Sequence, residues 1–526
     1  MRKFNVTGLC VPDRHYMVNI NEKLQRIMNL VHDGKYFTIN RARQFGKTTT
    51  LSVLEKYLNS TTDYICVSIT FENVDVPIFE NSERFCQEFI TQVVEALEYS
   101  NEDFATEWAD ESVKDFTMLG RHIRKHCKDK KIVLLVDEVD QASNNQVFLR
   151  FLGMLRSLFL KRADGKASTF LSVILAGVHD IKNIKLKLIN AGLHTPQGEQ
   201  EGQYNSPWNI ATTFDVDMFF APSEISTMLA DYENDHHTGM DVSAMSEEIF
   251  RFTGGYPYLV SRFCQCMDED LAPKDWTVSG VQKAVNIIAF EESILYDDMG
   301  KNLENNKDMY DFMYELLITG ESKSFELLDP VVSRCHMFGL IVADSSKNAI
   351  ISNKIFEMVL TSYFISKERR TTGVARHVCK GMYREITDTG RFDMELCLRK
   401  FANHYTETYA SDDITFLEKH GRMIFLSFLT PLVNGHGFFH IESQYTDLRR
   451  MDVVVDYGQD QFIIELKRWK GEKAQDKAYE QLLNYMKSKQ LNKGYLLTFD
   501  FRKAENKSPK AEWVQIGDNR IFEVII

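Results

Sequence analysis

A loop with the composition of a phosphate-binding site occupies residues 40–49, between a predicted strand and a predicted helix. It reads Asn-Arg-Ala-Arg-Gln-Phe-Gly-Lys-Thr-Thr. In such a loop Lys47 would reach the β and γ phosphates, Thr48 would place its hydroxyl group on Mg²⁺, and Gly46 would let the backbone approach the anion closely. Arg41 stands where the common pattern has its first glycine. Taken alone, the segment is therefore as compatible with a solvated helix start as with a phosphate site.

Two adjacent carboxylates end a predicted buried strand further along the chain. The strand reads Ile-Val-Leu-Leu-Val at 132–136, and Asp137 and Glu138 follow it, the first of them ninety residues after Lys47. Asp137 could hold Mg²⁺ through water, and Glu138 could orient and deprotonate an attacking water molecule. A carboxylate pair at a strand end is also ordinary solvated structure. The order and spacing of the two motifs together favour nucleotide binding.

A second group of chemical residues lies near the C-terminus. Two short apolar strands are predicted at 452–456 and 462–467, and they carry Asp452, Glu465 and Lys467. Residues two apart on a strand point to the same side, so Glu465 and Lys467 should share one face. Two carboxylates there could hold a divalent metal ion, and the lysine could orient water and stabilise a developing phosphate charge. A purely structural ion pair on one face of the strand is the alternative.

Basic residues and one tryptophan surround this second group. Between positions 465 and 510 there are 12 basic and 6 acidic residues, although the whole chain carries a net charge of −13. The local excess is compatible with phosphate contacts and with stacking on an unpaired base, whereas each residue taken singly is equally compatible with a solvated surface. The basic residues and the tryptophan around the second group are Arg449, Arg450, Lys467, Arg468, Trp469, Lys470, Lys473 and Lys477.

The first loop resembles the R-x-R-x-F-G-K-T segment of the bacterial AAA-ATPase-like family, P-loop ATPases of the AAA/STAND type in which the first glycine is usually missing. The resemblance covers roughly residues 6–295 and implies an ATP site in which Thr48 and Asp137 hold Mg²⁺ and Glu138 is catalytic. The turn at 253–258 is similar to the one that opens the helical lid of such ATPases, and Arg156, Arg162 and Arg262 are candidates for an arginine finger by position only. The residues implied in ATP binding are Arg43, Gln44, Phe45, Gly46, Lys47, Thr48, Thr49 and Asp137.

The second group resembles the PD-(D/E)xK nuclease superfamily over about residues 376–526. The matching residues are Asp452, the Glu-Leu-Lys segment at 465–467 and Gln481, while Met451 replaces the usual proline. The resemblance implies that Asp452, Glu465, Lys467 and Gln481 are catalytic, and that Glu418, Asp452 and Glu465 hold the metal. That metal would be Mg²⁺, with Mn²⁺ as a substitute.

The hydrophobic pattern predicts the elements that would position both groups. Strands alternate with helices up to about residue 176, helices dominate from 222 to 292, and a mixed segment continues to about 367. Further on, the pattern predicts that the strands at 452–456 and 462–467 form a hairpin and that 493–499 is the final strand. The pattern predicts the fold class α/β. The two resemblances imply a P-loop NTPase parallel sheet, a helical lid, a winged-helix-like module and a C-terminal α/β restriction-endonuclease-like domain. The predicted domain bounds are 1–221, 222–295, 296–375 and 376–526.

Composition narrows the class of protein. The 526 residues are 44% hydrophobic and 26% charged, which excludes disordered and fibrous chains. The pattern contains no signal peptide and no run long enough to span a membrane. Nine scattered cysteines without a C-x-x-C pair indicate a reducing compartment, so we expect a cytoplasmic protein without a zinc site. His122 and His126 lie four apart in a predicted helix but lack a third ligand, and we expect them at the surface.

These features lead to three functional hypotheses. The first is an ATP-binding and hydrolysing protein coupled to Mg²⁺-dependent phosphodiester cleavage of nucleic acid, DNA rather than RNA. A role in defence or mobile-element control and a tendency to form homo-oligomers are implied by the resemblance alone. The main alternative is a regulatory ATPase whose nuclease-like domain binds nucleic acid or a protein partner without cutting. The third is an ATP site that binds without hydrolysis and only assembles the nuclease.

Overall fold

The chain folds into two compact units. The computed structural model describes residues 2–42, 44–142, 145–177, 208–212, 214, 216–319, 322–371, 385–387, 391–409, 414–433, 437–443, 451–458, 460–501 and 509–526. The first unit contains Met1–Phe250, Gly255–Gln265 and Met337–Gly339. The second contains Arg251–Gly254, Cys266–His336 and Leu340–Ile526. The four predicted domain bounds stay a prediction.

Strands and helices alternate through the first part of the chain, as predicted from the hydrophobic pattern. In chain order the elements are α1 (Asn21–His32), β1 (Tyr36–Asn40), α2 (Lys47–Asn59), β2 (Ile65–Thr70), α3 (Val76–Glu80), α4 (Ser82–Glu98), α5 (Glu102–Trp108), α6 (Phe116–His126), β3 (Ile132–Asp137), α7 (Gln146–Ala163), β4 (Ser172–Gly177), α8 (Pro222–His236), α9 (Val242–Thr253) and α10 (Pro257–Gln265).

The four strands of the first unit form one parallel sheet in the order β1-β4-β3-β2. Alternate residues of each strand enter two separate cores, so that Leu134 packs with residues of α4 to α7, while Val133 packs with residues of α1 and α2. Because helices cover both faces, every residue of β3 is buried. The prediction of a parallel α/β sheet is confirmed.

From residue 278 onward, helices precede a second sheet. The elements are α11 (Val278–Ile288), α12 (Ile294–Asn305), α13 (Lys307–Tyr314), a π-helical turn (Glu315–Thr319), α14 (Pro330–Met337), β5 (Ile341–Ala343), β6 (Ala349–Ile351), α15 (Lys354–Thr371), α16 (Met394–Tyr409), α17 (Ile414–Val433), β7 (Gly437–Ser443), β8 (Met451–Tyr457), β9 (Asp460–Arg468), α18 (Glu472–Ser488), β10 (Lys493–Phe499), β11 (Lys510–Ile516) and β12 (Asn519–Ile525).

The second sheet has six strands in the order β11-β12-β10-β9-β8-β7. The predicted hairpin of β8 and β9 is antiparallel, and β10 joins β9 in parallel through the crossover helix α18. The expectation that 493–499 is the final strand was wrong, because β11 and β12 follow it and β12 pairs with β10 in parallel. The polar residues of β11 hid its strand pattern, since β11 lies at the exposed edge of the sheet.

Two histidines that were expected at the surface are buried in the first unit. His122 and His126 lie on the inner face of α6, where both rings pack against Trp108. His122 Nε2 lies 3.0 Å from the carbonyl oxygen of Trp108. Burial lowers the pKa of both imidazoles, that of His126 to about 4, so both remain neutral near pH 7. Their four-residue spacing therefore marks a core face of the helix.

None of the described helices combines the length and the hydropathy that a membrane crossing needs.

A glycine at the turn before α10 is required by the backbone next to it. Gly255 has a φ of +76°, and a Cβ atom there would lie 2.0 Å from the carbonyl oxygen of Phe220. The same two residues are joined by a hydrogen bond from Phe220 N to Gly255 O of 2.8 Å. Neither the left-handed conformation nor this close approach tolerates a side chain.

We therefore predict that Gly255→Ala destabilises the protein far more than Gly165→Ala. Gly165 also has a positive φ, +68°, but no atom lies within 4 Å of the position of its Cβ. The conformational strain alone costs about 1 kcal/mol, and the added clash raises the loss to about 3 kcal/mol for Gly255. Urea unfolding followed by fluorescence measures both values, and equal losses would contradict the packing argument.

Candidate functional site

The loop between β1 and α2 has the backbone geometry of an anion cradle. Gln44 and Gly46 both adopt the left-handed conformation, with φ of 59° and 75°, and flank Phe45. Helix α2 begins at Lys47, and no side chain of the described residues caps its first turn. The amide groups of that turn, with the positive end of the helix dipole, are therefore available to an anion.

The predicted phosphate residues and the acidic strand end lie together. Thr48 Oγ1 donates a 2.8 Å hydrogen bond to Asp137 Oδ2, and the backbone amide of Glu138 donates to Asp137 Oδ1 at 2.9 Å. Lys47 is 6% exposed, and its Nζ donates to the carbonyl oxygens of Arg41 and Ala42 at 2.9 and 3.0 Å. These contacts hold the ammonium group across the loop. Residues predicted from distant segments thus form one site.

A cavity of about 850 Å³ opens beside this loop. Its polar lining includes Lys47, Thr48, Asp137 and Glu138. Its apolar lining comes mostly from other segments and includes Val6, Leu9, Tyr16, Ile20, Met218, Phe220, Met228 and Pro257. Phosphates on the polar lining and a purine base on the apolar lining would satisfy both kinds of surface.

Two other residues predicted to bind ATP, Phe45 and Thr49, attach the loop to neighbouring segments. Phe45 is buried and packs edge-to-face on Phe219 and Tyr256, with ring centroids 5.0 and 4.7 Å away. Thr49 Oγ1 accepts a hydrogen bond of 3.3 Å from the amide of Cys10. The turn that carries Tyr256 is the one predicted to open the helical lid. Phe45 and Thr49 therefore connect the loop to that turn and to the N-terminal segment.

One cavity residue was missed in the sequence. Glu55 lies two turns after Lys47 on α2 and lines the same cavity. Burial raises the pKa of its carboxyl group, although the charge of Lys56 and a hydrogen bond with Ser68 act in the opposite direction. The signal in the sequence was the eight-residue spacing, which places Glu55 on the same face of the helix as Lys47.

Two arginine predictions have different outcomes. Arg43, expected to bind the nucleotide, lies outside the described residues. Arg162 was a candidate arginine finger by position, as were Arg156 and Arg262. Its guanidinium group donates to the carbonyl oxygens of Gly34, Phe170 and Leu171, which precede β1 and β4. Arg162 therefore fastens the sheet edge opposite the phosphate loop.

In the second unit, the structure brings Glu465 and Lys467 together on β9. The Glu465 side chain is 2% exposed, and one carboxylate oxygen forms an ion pair with Lys467 Nζ. This contact confirms the predicted shared face. A structural ion pair and a catalytic pair both require this contact, so the contact does not distinguish between them.

For two predicted metal ligands, Asp452 and Glu418, only the backbone position is described. Val453 of β8 pairs with Ile464 of β9, which leaves Asp452 and Glu465 as the next residues of the two strands. Glu418 lies on α17. The side chains of Asp452 and Glu418 lie outside the described residues, as do Arg449 and Arg450.

The helix after β9 contributes a buried amide group. Gln481 on α18 has a buried Oε1 atom with no hydrogen-bond partner among the described residues. An unsatisfied buried acceptor costs about 1–3 kcal/mol, so its retention favours a role in binding. The predicted basic residues Arg468, Lys470, Lys473 and Lys477 are exposed around this strand and helix.

Sequence reasoning missed one cation at this site. Arg422 lies on α17, where burial lowers its pKa to about 10 and the charge of Glu465 acts in the opposite direction. The signal was an arginine at the head of the apolar run Met-Ile-Phe-Leu, which is an expensive place for a charge.

The donor atoms differ in how well they suit a divalent cation. In the first site, the Thr48 hydroxyl and the Asp137 carboxylate are adjacent hard oxygen donors, which suits Mg²⁺. In the second, the Glu465 carboxylate is one described oxygen donor, and its partner Lys467 would have to shift for a metal ion to bind there.

Comparisons with known proteins match two family models to this chain. The family model described as AAA-like domain matches residues 12–362, and the model of the PD-(D/E)XK nuclease superfamily matches residues 438–510. An uncharacterized WD repeat-containing protein of Synechocystis sp. is 21% identical over 381 residues, which is 67% of this chain. The match spans 30% of the length of that protein.

Solved structures are similar to this chain at low TM-scores. Cdc6p from Pyrobaculum aerophilum has a TM-score of 0.32 and 13% identity, with 66% of this chain and 94% of that chain covered. ORC2 from Aeropyrum pernix has a TM-score of 0.35 and 10% identity, with 66% and 93% covered. A mutant of RuvB from Thermotoga maritima has a TM-score of 0.30 and 10% identity, with 63% and 92% covered.

We predict that Lys47→Ala weakens ATP binding about 100-fold, because a lysine–phosphate contact contributes about 1.5–3 kcal/mol. Lys56→Ala is the matched control, since Lys56 is an exposed lysine on the same helix. Titration with a fluorescent ATP analogue measures both affinities. Equal affinities of wild type and Lys47→Ala would show that the nucleotide binds elsewhere or not at all.

Proposed function

Because the chain belongs to the AAA-like domain family, we propose that its first unit binds and hydrolyses ATP and that its second unit cleaves phosphodiester bonds of nucleic acid. The observation that carries the first half is the hydrogen bond between Thr48 and Asp137 inside a cavity of nucleotide size. The match to the nuclease superfamily and the buried Glu465–Lys467 pair support the second half.

Each residue of the first site has a distinct task in hydrolysis. Lys47 leaves the loop carbonyl oxygens that it now contacts and binds the β and γ phosphates, which the amide groups of the first turn of α2 also contact. Thr48 and Asp137 would hold Mg²⁺, which neutralises the charge on the transferred phosphate. Glu138 orients the attacking water and accepts its proton. Its left-handed backbone, φ 52°, turns the chain at the end of β3.

The residues of the second site divide the tasks of phosphodiester cleavage. Glu465, Asp452 and Glu418 would hold the divalent cation, Mg²⁺ or Mn²⁺, which activates water and neutralises the phosphate. Lys467 orients that water and stabilises the negative charge that develops on phosphorus oxygens. Gln481 contributes its unsatisfied amide oxygen to the same positioning. The exposed basic residues around β9 and α18 hold the polymer by its phosphates.

The proposal extends to the setting of the reaction. The eight cysteines in the described part of the chain are free thiols, which supports a cytoplasmic location. DNA as the polymer, a bacterial source, a homo-oligomeric assembly and a role in defence or mobile-element control are proposals that come from the family resemblance alone.

A regulatory ATPase that does not cut is the second candidate. This candidate needs no metal ion in the second unit, because Lys467 already offsets the charge of the buried Glu465 carboxylate. In that case the second unit binds nucleic acid or a protein partner, and nucleotide binding controls the interaction.

We predict that Lys467→Ala lowers the cleavage rate more than about 100-fold, because the variant lacks the ammonium group that stabilises the developing charge. Lys493→Ala is the matched control, since Lys493 is exposed at the start of β10. Purified proteins are incubated with linear, circular and single-stranded DNA and with RNA, in Mg²⁺ or Mn²⁺ with ATP, and products are resolved on gels. Failure of the wild type to cut any of these polymers would favour the regulatory ATPase.

A further inference from the structure

The ring of Phe45 connects the phosphate loop to a turn near residue 339. Phe45 lines the cavity beside the loop, and its buried ring packs on Phe219 and Tyr256. A Cβ atom on Gly339 would lie 2.9 Å from Cε2 of Phe45 and 3.2 Å from Cε2 of Tyr256. Gly339 therefore packs so closely on the two rings that a side chain at this position has no room.

Gly339 belongs to the turn that ends helix α14. Its φ is +71°, and the amide of Leu340 donates a 2.9 Å hydrogen bond to the carbonyl oxygen of Cys335. This bond closes the turn at 335–340 in the way that is common at helix ends with a left-handed glycine. The backbone alone is thus one reason for a glycine here, and the contact with Phe45 is a second, separate reason.

The turn is also fixed to the short strands β5 and β6. The amide of Ser352 donates to the carbonyl oxygen of Leu340 at 2.9 Å, and His336 Nδ1 lies 3.2 Å from the carbonyl oxygen of Ile341. His336 and Leu340 belong to the second unit, whereas Met337–Gly339 belong to the first. A shift of these three residues therefore disturbs hydrogen bonds of the second unit on both sides of them.

The backbone of the phosphate loop determines where the ring of Phe45 lies. Two left-handed residues flank Phe45, and Lys47 Nζ is held by two carbonyl oxygens of the same loop. A phosphate group that draws Lys47 away from these oxygens and binds the loop amides changes the backbone around Phe45. Because packed side chains do not deform continuously, the ring passes this change to Gly339.

We propose that Phe45 couples the nucleotide state of the phosphate loop to the turn at 335–340, so that ATP binding and the packing of this turn control each other. The inference rests on the proposed ATP binding and requires neither hydrolysis nor cleavage. Gly339 is not among the described residues that line the cavity, so it acts on ATP through Phe45. Coupling is reciprocal, so a change in the turn must alter the affinity for ATP.

The first test is a double-mutant cycle on ATP affinity. Titration with a fluorescent ATP analogue compares wild type, Gly339→Ala, Phe45→Leu and the double variant. Leucine is too short to place an atom at the position of the ring Cε2, so it removes the closest contact of the added methyl group. We expect Gly339→Ala to weaken binding about tenfold in the wild-type background and less than about twofold in the Phe45→Leu background.

Gly165→Ala is the matched control for backbone strain. Gly165 has a φ of +68°, and no atom lies within 4 Å of the position of its Cβ. Gly165→Ala should bind ATP as the wild type does. The inference would be overturned by an unchanged affinity in Gly339→Ala, by an equal loss with and without Phe45→Leu, or by an equal loss in Gly165→Ala.

The second test uses the wild type alone and does not depend on the folding of a variant. Hydrogen–deuterium exchange is measured with and without saturating ATP and Mg²⁺. We expect the amides of Leu340 and Ser352 to exchange several-fold more slowly with ATP, because the phosphate-bound loop holds Phe45 more firmly against the turn. Peptides from β11 and β12 are the control and should be unchanged.

The outcomes of the exchange measurement separate this inference from the proposed function. Unchanged exchange at the turn, or an equal change in β11 and β12, while ATP is bound would overturn the coupling and leave the ATP site. A wild type that does not bind ATP would overturn the coupling together with the proposed ATPase. A protected turn in a protein that cuts no nucleic acid would support the coupling and contradict only the proposed nuclease.

Discussion

The hydrogen bond from Thr48 to Asp137 joins residues 89 positions apart, and it exists because β1 and β3 run parallel and end at the same edge of one sheet. A parallel sheet with both faces covered by helices leaves that edge as a place where loops from several strands meet. The loop after β1 meets the carboxylates after β3 there. Phe45, packed on Tyr256, and Thr49, bound by the amide of Cys10, then hold the loop in place.

In the second unit, the cost of burying a charge constrains which side chains can lie at the candidate site. Glu465 tolerates burial because Lys467 lies beside it, and Arg422 adds a second cation whose field acts on the same carboxylate. Asp452 and Glu418, the other predicted ligands, would add two carboxylates to this site, and a divalent cation would offset their charge.

Short-range patterns predicted much of this molecule. The strand-loop-helix at 36–59 and the hairpin of β8 and β9 follow from periodicity and from turn residues, and both were confirmed. Features set by distant neighbours were missed, because Glu55 and Arg422 gain their roles only when other elements pack beside them. His122 and His126 were placed wrongly for the same reason, since Trp108 covers them. The roles of the predicted site residues stay predictions.

The central claim is that one chain uses ATP to control a nuclease. Its most direct test is the rate of nucleic-acid cleavage as a function of ATP concentration, measured for wild type and Lys47→Ala in the same Mg²⁺ buffer. If the two sites communicate, ATP changes the rate of the wild type several-fold and leaves the rate of Lys47→Ala flat. Identical rates for the two proteins at every ATP concentration would contradict the coupling, whatever each site does alone.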